Sequence, residues 1–277
     1  MAMTINGTEV TGISIGANEA IKLEIGGVVV WEKTNHVTEL CMENLTSSSA
    51  TFTAYKQWMA TETYADLWYS IDDGETWTDL GLNIMSRAGD AGGDITQTVT
   101  VPANGKIYLR GDNNDGIGDS NQYVQFSMDA SHNVSGSLLS LVDADDYATI
   151  TPTLTKGFYS MFYGDTHLTS ADGLVIGFAS VPDYGLYRLF RGSTGLTGTP
   201  DLSGITAIGN NGLSQLYYGC TLVDDVTAPN VSAWDTTKTA NWLFDVAATG
   251  TVNKPTELSI PTNNTGGVPA GWTTTDY

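Results

Sequence analysis

Positive charge is what this chain has least of. Its 11 lysines and arginines stand against 31 acidic residues, a formal net charge of −20. Such a surface repels nucleic acid and anionic lipid, so neither is expected as a partner. Charged side chains of both signs make up only 15% of the sequence, so most of the surface must be neutral and polar. Cysteine is nearly absent as well. Cys41 and Cys220 lie far apart, form no metal or redox spacing, and are not expected to pair. No run of 18 apolar residues occurs, so no membrane-inserting helix is expected. The opening "MAMTINGTEV" lacks a basic segment and an apolar segment behind it, so a secretion signal is not expected. No window sustains a long helical period. What the chain does have is 31 glycines, with abundant Thr, Ser and Asn between short apolar runs. That is the pattern of many short strands and turns. With 277 residues it can bury real cores without disulfide staples.

Three segments follow from the patterning. Residues 1–34 read as a small N-terminal β-hairpin unit. Asn6-Gly7 and Gly26-Gly27 sit beside β-branched runs, and both pairs tolerate the positive φ of tight turns. Val28, Val29, Val30 and Trp31 read as a buried strand. The unit is too small to be robust alone, so it is expected to dock on a larger assembly. Residues 35–135 read as a small β-sandwich, from short runs such as "ATFTAY", "TQTVTVP" and "KIYLRG" separated by turn signals.

Within that segment "YSIDDGETW" matches the Asp-box of sialidases and related propeller proteins through Ser70, Asp72, Gly74, Thr76 and Trp77. An Asp-box is itself a structural turn. A propeller would repeat it several times, and a sialidase would need arginines for its substrate carboxylate. The chain has one copy and four arginines, Arg87, Arg110, Arg188 and Arg191. A hairpin turn is therefore the expected role, and a glycan-active enzyme the remote alternative.

Residues 136–277 repeat. "FYSMFYG" ends at Gly164, "LYRLFRG" at Gly192 and "LSQLYYG" at Gly219, and "NWLFDV" follows with Val246 in the place of the glycine. Phe162, Phe190, Tyr217 and Phe244 form one column; Met161, Leu189, Leu216 and Leu243 the next; Phe158, Leu186, Leu213 and Ala240 lie three residues earlier. This i, i+3, i+4 spacing predicts a short helical turn in each unit. An apolar residue follows each glycine, at Leu168, Leu196 and then Leu222 or Val223. Loops carrying Pro200, Pro229 and Pro255 come next. Leu138, Leu141 and Pro152 align as a degenerate first unit. Short units that cannot bury their apolar columns alone must stack, which describes a solenoid. The expected fold class is mainly β with short helices: the hairpin unit, the sandwich, and a C-terminal leucine-rich-repeat-like solenoid with a cap.

The "MFYG" and "LFRG" units followed by "LTGTPDLS" resemble the BspA-like leucine-rich repeats of Bacteroidetes surface proteins, in which a cysteine follows the glycine. Only Cys220, in "LYYGCTLV", keeps that cysteine; Asp165 and Ser193 stand in the other two places. The ending "NWLFDVAATGTV…GVPAGWTT" resembles the C-terminal cap of such proteins. The leader "ING-x-EV-x-GI-x-IG" resembles short leader units on proteins from phages of Bacteroidetes hosts.

No catalytic constellation is expected. His36, His132 and His167 lie near no known triad spacing, and clusters such as Asp143, Asp145 and Asp146 read as solvated turns. "GDNNDGIGDSN" offers Asp112, Asp115 and Asp119 as oxygen ligands but fails the EF-hand pattern, so it reads as a polar loop; neither metal nor cofactor is expected. The columns that vary between units supply Tyr159, Tyr163, Tyr187, Arg188, Arg191 and Tyr218 as candidate ligand-binding residues. Tyr and Arg dominate many interfaces, and flat rings also suit sugars. The opposing reading has them pack against the next turn or a sister subunit. The resulting expectation is a non-enzymatic phage virion protein, a tail or capsid fibre or appendage made in the host cytoplasm. Residues 1–34 would join it to other virion proteins, and the repeat surface would meet a host glycan or protein, with a homotrimer possible. The alternative is an exported bacterial surface adhesin of BspA type.

Overall fold

The computed structural model describes strand backbones between residues 4 and 32, and then residues 39–277 except 58–64, 83–93, 119–122, 148 and 151–153. The chain divides into two compact units, Met1–Val37 and Thr38–Tyr277. Both are built from β-sheet. Among the described residues the one helical element is a 3-10 turn at Leu138–Leu141.

The first unit is a four-stranded antiparallel sheet in sequential order: β1 (Thr4–Ile5), β2 (Thr8–Gly16), β3 (Glu19–Ile25) and β4 (Val28–Glu32). Ile5 pairs with Thr8 and Ile25 with Val28, so the strands flank the two-residue connections expected from Asn-Gly and Gly-Gly. Those connections, and the side chains of Val28 to Trp31, lie outside the described residues.

The second unit opens with two sheets. β5 (Leu40–Asn44), β7 (Leu67–Ser70), β8 (Thr78–Asp79), β10 (Lys106–Gly111), β12 (His132–Ser137) and β13 (Leu168–Val175) form one, in the order β13-β12-β5-β10-β7-β8. β6 (Ala50–Lys56), β9 (Ile95–Val101) and β11 (Val124–Met128) form the other, with β6 in the middle. Alternation sets the faces. Phe52, Ala54, Phe126 and Met128 are buried while their strand neighbours are half-exposed. They share one apolar cluster with Leu40, Met42, Ile107 and Leu109 of the larger sheet. One charge lies among them: the buried Lys56 donates to the Leu82 carbonyl at 2.8 Å, and burial lowers its pKa.

From residue 157 onward the chain repeats in space as it does in sequence. The segments expected as helical turns are not helices. Each is a run of overlapping four-residue turns in which every second N–H bonds three residues back, as in Met161 to Phe158, Tyr163 to Ser160 and Asp165 to Phe162. The intervening N–H groups leave the unit. Those of Phe158, Ser160, Phe162 and Gly164 donate to the carbonyls of Gly185, Tyr187, Leu189 and Arg191 at 2.6–2.9 Å. The set repeats from Leu186, Arg188, Phe190 and Gly192 to Gly212, Ser214, Leu216 and Tyr218. The turns also require left-handed residues at fixed places. Ser160, Arg188, Gln215 and Asn241 have φ of 57°, 59°, 58° and 57°, and each is followed four residues on by another: Gly164, Gly192 and Gly219 at 70–78°, and Asp245 at 58°. Glycine holds such a φ without the Cβ clash other residues suffer.

Short parallel pairs follow each turn run. Ser180 pairs with Ala207 and Val181 with Ile208 in β14 (Ser180–Val181) and β15 (Ala207–Ile208). β16 (Asp225–Thr227), β17 (Gly250–Lys254) and β18 (Trp272–Asp276) form a three-stranded parallel sheet. The apolar residue after each glycine is Leu168, Leu196 and Val223, all fully buried; Leu222 is exposed.

These dihedrals and bonds correct the expected columns of the last unit. Tyr217 N donates to Trp242 O, so the residue matching Tyr217 is Leu243 and the one matching Gly219 is Asp245, where Val246 was expected. The last unit is one residue shorter than its columns suggested. Trp242, fully buried, takes the place of Met161, Leu189 and Leu216, and the fully buried Thr239 takes that of Leu213. Phe244 leaves the buried column and is 37% exposed. The buried rings therefore run Phe162–Phe190–Tyr217, with centroids 5.6 Å apart and planes within 9° and 3°.

Truncating Phe190 to Ala opens the centre of this stack and is expected to cost about 3–5 kcal/mol. Phe244→Ala, at an exposed position, should cost under about 1 kcal/mol. Urea unfolding of the two variants checks the register, because the uncorrected columns require equal losses.

Candidate functional site

The six residues taken from the varying columns fall into two ring ladders and a guanidinium pair. Tyr159 and Tyr187 belong to the first ladder. It runs from Tyr55 to Tyr123 (6.4 Å), Tyr159 (5.6 Å) and Tyr187 (5.0 Å), with Tyr184 edge-on to Tyr187 at 5.5 Å. Tyr159 lies inside it and is only 9% exposed, and burial raises its hydroxyl pKa. Tyr163 and Tyr218 belong to the second. Arg191 stacks between them, 5.8 Å from the Tyr163 ring and 4.6 Å from the Tyr218 ring, and Phe244 lies 4.9 Å beyond Tyr218. Arg188 lies over Tyr187 at 4.7 Å. Gln215 joins the arginines: its Oε1 accepts from Arg188 Nε at 3.0 Å and from Arg191 Nη1.

The geometry changes what these side chains can do. Tyr187 has a tyrosine on one side and a guanidinium against it, and Tyr218 has a guanidinium and a phenyl ring. Tyr187 packs against Tyr159 of the preceding unit and its own neighbour Arg188, and Tyr218 against Arg191 and Phe244 of the units on either side, so these two rings offer little face for a sugar; Tyr163, 45% exposed, is the ring left most open. Arg–ring contacts of this kind contribute about 0.5–1 kcal/mol each at exposed sites. Tyr55, Tyr123, Tyr184, Gln215 and Phe244 were not among the expected residues. Gln215 was readable, because it stands in the same varying column as Arg188. Phe244 was hidden by the one-residue slip described above.

The Asp-box is a closed hairpin turn between β7 and β8. Ser70 Oγ donates to Asp72 Oδ1 at 2.6 Å and accepts from Gly74 N at 2.9 Å, while Asp72 accepts from both Thr76 N (3.0 Å) and Thr76 Oγ1 (2.5 Å). Asp73 and Gly74 supply the positive φ, and Arg110 lies 4.1 Å over the Trp77 ring. Of the other arginines, Arg87 lies outside the described residues.

A buried pair that sequence reasoning missed joins β12 to the first repeat unit. His132 Nε2 lies 3.1 Å from Asp165 Oδ2, and both side chains are buried. His132 Nδ1 is 2.9 Å from the Ala130 carbonyl. A carbonyl only accepts, so Nδ1 carries a proton, and Nε2 faces the carboxylate at ion-pair distance. Asp165 occupies the place after the glycine that Ser193 and Cys220 fill in later units. Those two donate to carbonyls of the preceding unit, Ser193 Oγ to Phe162 at 2.8 Å and Cys220 Sγ to Phe190 at 2.9 Å. A carboxylate cannot donate there, so the first unit needs a partner with a donor, and β12 provides His132. Both cysteines are free and buried, and burial pushes each thiol up to about 12.

The loop after β10 is shaped by Asn113, which accepts from Asp66 N and donates to the carbonyls of Asp66 and Leu141. Asp112 accepts from Ala144 N at 3.1 Å, and Asp119 lies outside the described residues. Among the described residues no three His, Cys, Asp or Glu side chains are grouped to hold a metal ion.

Asp165→Ala leaves His132 buried without its partner and should cost about 3–5 kcal/mol, whereas Cys220→Ser reproduces the Ser193 arrangement and should stay within about 1 kcal/mol. Chemical denaturation of both variants checks the contrast. At the Asp-box, the Ser70 hydroxyl and then Thr76 hold the Asp72 carboxyl down to about 2. A depressed carboxyl stabilises the turn while ionised, so this contribution is complete above the unfolded value near ~4 and fades as pH falls toward about 2. An NMR titration of the Asp72 carboxyl, with loss of Gly74 and Thr76 amide protection over the same window, is the measurement. Compared with protein-family models, with characterised proteins and with solved structures, the chain gives no match.

Proposed function

We propose that the chain is a non-enzymatic structural protein of a phage virion, a tail or capsid fibre or appendage that displays a repeat surface to the host. In this reading residues 1–34 attach to other virion proteins, the two sheets after them are a β-sandwich spacer, and the later units are a leucine-rich-repeat-like solenoid. The observation that carries it is the ladder itself. Rings and backbone bonds recur once per unit, and the varying residues are left along its flank. That is the economy of a display scaffold, where core columns stay constant and surface columns are free to change. The polar groups that could have served chemistry support the same reading, since the Asp-box and His132–Asp165 are committed to local structure. A compact leader unit ahead of the main body suits an attachment role.

One observation favours the second reading, an exported bacterial adhesin of BspA type. Cys220 donates to the preceding unit, which gives the cysteine of the resembled repeats a structural role here.

Immunogold electron microscopy separates the two. An antibody against residues 38–277 should label appendages on particles purified from the lysed host culture. Label on intact cell envelopes, with unlabelled particles, would overturn the virion reading in favour of the adhesin.

A further inference from the structure

We infer that Arg188 and Arg191 form a receptor site for the carboxylate of an acidic saccharide. This rests on the reading of the second half as a display surface, and it names the class of ligand. Two guanidiniums share the single Oε1 of Gln215. Among the described residues neither has a carboxylate partner, in a chain with 31 acidic side chains. Two like charges a few ångströms apart repel by roughly 1 kcal/mol at the dielectric constant of water, and by several times that where water is displaced. A neutral amide oxygen orients them but cannot offset that repulsion; a carboxylate can. Each guanidinium has five N–H donors in a rigid fork matched to carboxylate geometry, and each spends one on Gln215.

The pair is also held in advance. Arg188 lies on Tyr187 and Arg191 between Tyr163 and Tyr218, so little side-chain freedom remains to be lost on binding.

The ring ladders decide between a sugar and a protein as the carrier of the carboxylate. A protein anchor needs an open apolar pocket or ring face. Here Tyr187 and Tyr218 pack against neighbours, and the one open ring, Tyr163, has the Arg191 guanidinium 5.8 Å from it, so most of what is offered is polar. The hydroxyls of Tyr163, Tyr187 and Tyr218 have no hydrogen-bond partner among the described residues, and their rings pack against the two guanidiniums. Hydroxyls able to donate or accept, beside a fixed cationic fork, match a ligand rich in hydroxyls that carries one carboxylate. With a net charge of −20, the protein also disfavours a densely anionic ligand, and the local site is cationic while the chain as a whole is not.

Saturation-transfer NMR on the full chain tests this, with 6′-sialyllactose and methyl galacturonoside, one carboxylate each, as acidic probes, lactose and methyl galactoside as neutral ones, and the peptide Gly-Glu-Gly. Transfer to both acidic saccharides with none to the neutral pair is the expected result. The double variant R188Q/R191Q should weaken acidic binding at least tenfold. Glutamine is accommodated at the first position because Gln215 holds the matching place at φ 58°, and circular dichroism checks the fold. Should the variant unfold, the acidic-to-neutral contrast on the wild type still decides. Equal transfer to neutral sugars, silence of both acidic probes, or transfer to the peptide in place of the saccharides would each overturn the assignment. Any of these with gold label still on particles would leave the virion reading standing.

Discussion

Everything in the repeating half follows from a backbone that satisfies only half of its own donors. In each turn run alternate N–H groups bond within the unit, and the rest can bond only to the next one. Four donors per junction face this choice. Each such bond is worth about 0.5–1.5 kcal/mol net of bonding to water, so four per junction tie a unit to its neighbour by a few kcal/mol. The units must therefore come as a stack, in a register set by hydrogen bonds, and the rings follow that register. Phe162, Phe190 and Tyr217 lie parallel because their backbones are already fixed one above another.

A stack of this kind needs two ends that differ from its middle. At the start, β11 does the work of a preceding unit: Phe126 N donates to Met161 O at 2.7 Å, and the Phe126 ring meets Phe162 at 6.4 Å. β12 completes the seat, pairing in parallel with β13 and lending His132 to Asp165. At the far end Asn241 N finds the Thr265 carbonyl, and three indole N–H groups close what remains: Trp234 to Gly266, Trp242 to Gly267 and Trp272 to Ala247, at 2.7–2.8 Å. Tryptophan suits a cap because one side chain covers a large apolar area and still donates a hydrogen bond.

How much of this was legible in the sequence depends on which physical signal each feature leaves. The period, the buried columns and the candidate Tyr and Arg residues were visible, because burial constrains residue type at fixed spacing. The helix expectation failed for a specific reason: i, i+3 and i+4 is the spacing of a helix face, but overlapping four-residue turns place side chains at the same intervals. Periodicity alone cannot tell the two apart. The missing signal was the left-handed residue every fourth place. Asn241 and Asp245 carry it in the last unit, since Asn and Asp tolerate positive φ better than most residues. Reading "NWLFD" by those two would have placed Leu243 and Phe244 correctly. The pairing of His132 with Asp165 left no such trace, because it depends on which strand ends beside the first unit.

The same stacking that makes the scaffold also decides what its surface can offer. A ring locked between the rings or guanidiniums of adjacent units contributes to stability through its faces, and those faces are then closed to a ligand. What the flank leaves open is its polar atoms: phenolic hydroxyls and guanidinium N–H groups. Variation from unit to unit then changes donors and charge without disturbing the ladder, as the series Ser160, Arg188, Gln215 and Asn241 illustrates, all four sharing one backbone conformation. A position whose backbone is fixed by its neighbours can vary in side chain, at the cost only of tolerating a left-handed φ. That separation of holding from presenting is why the charge of one column can be reversed against the charge of the whole chain.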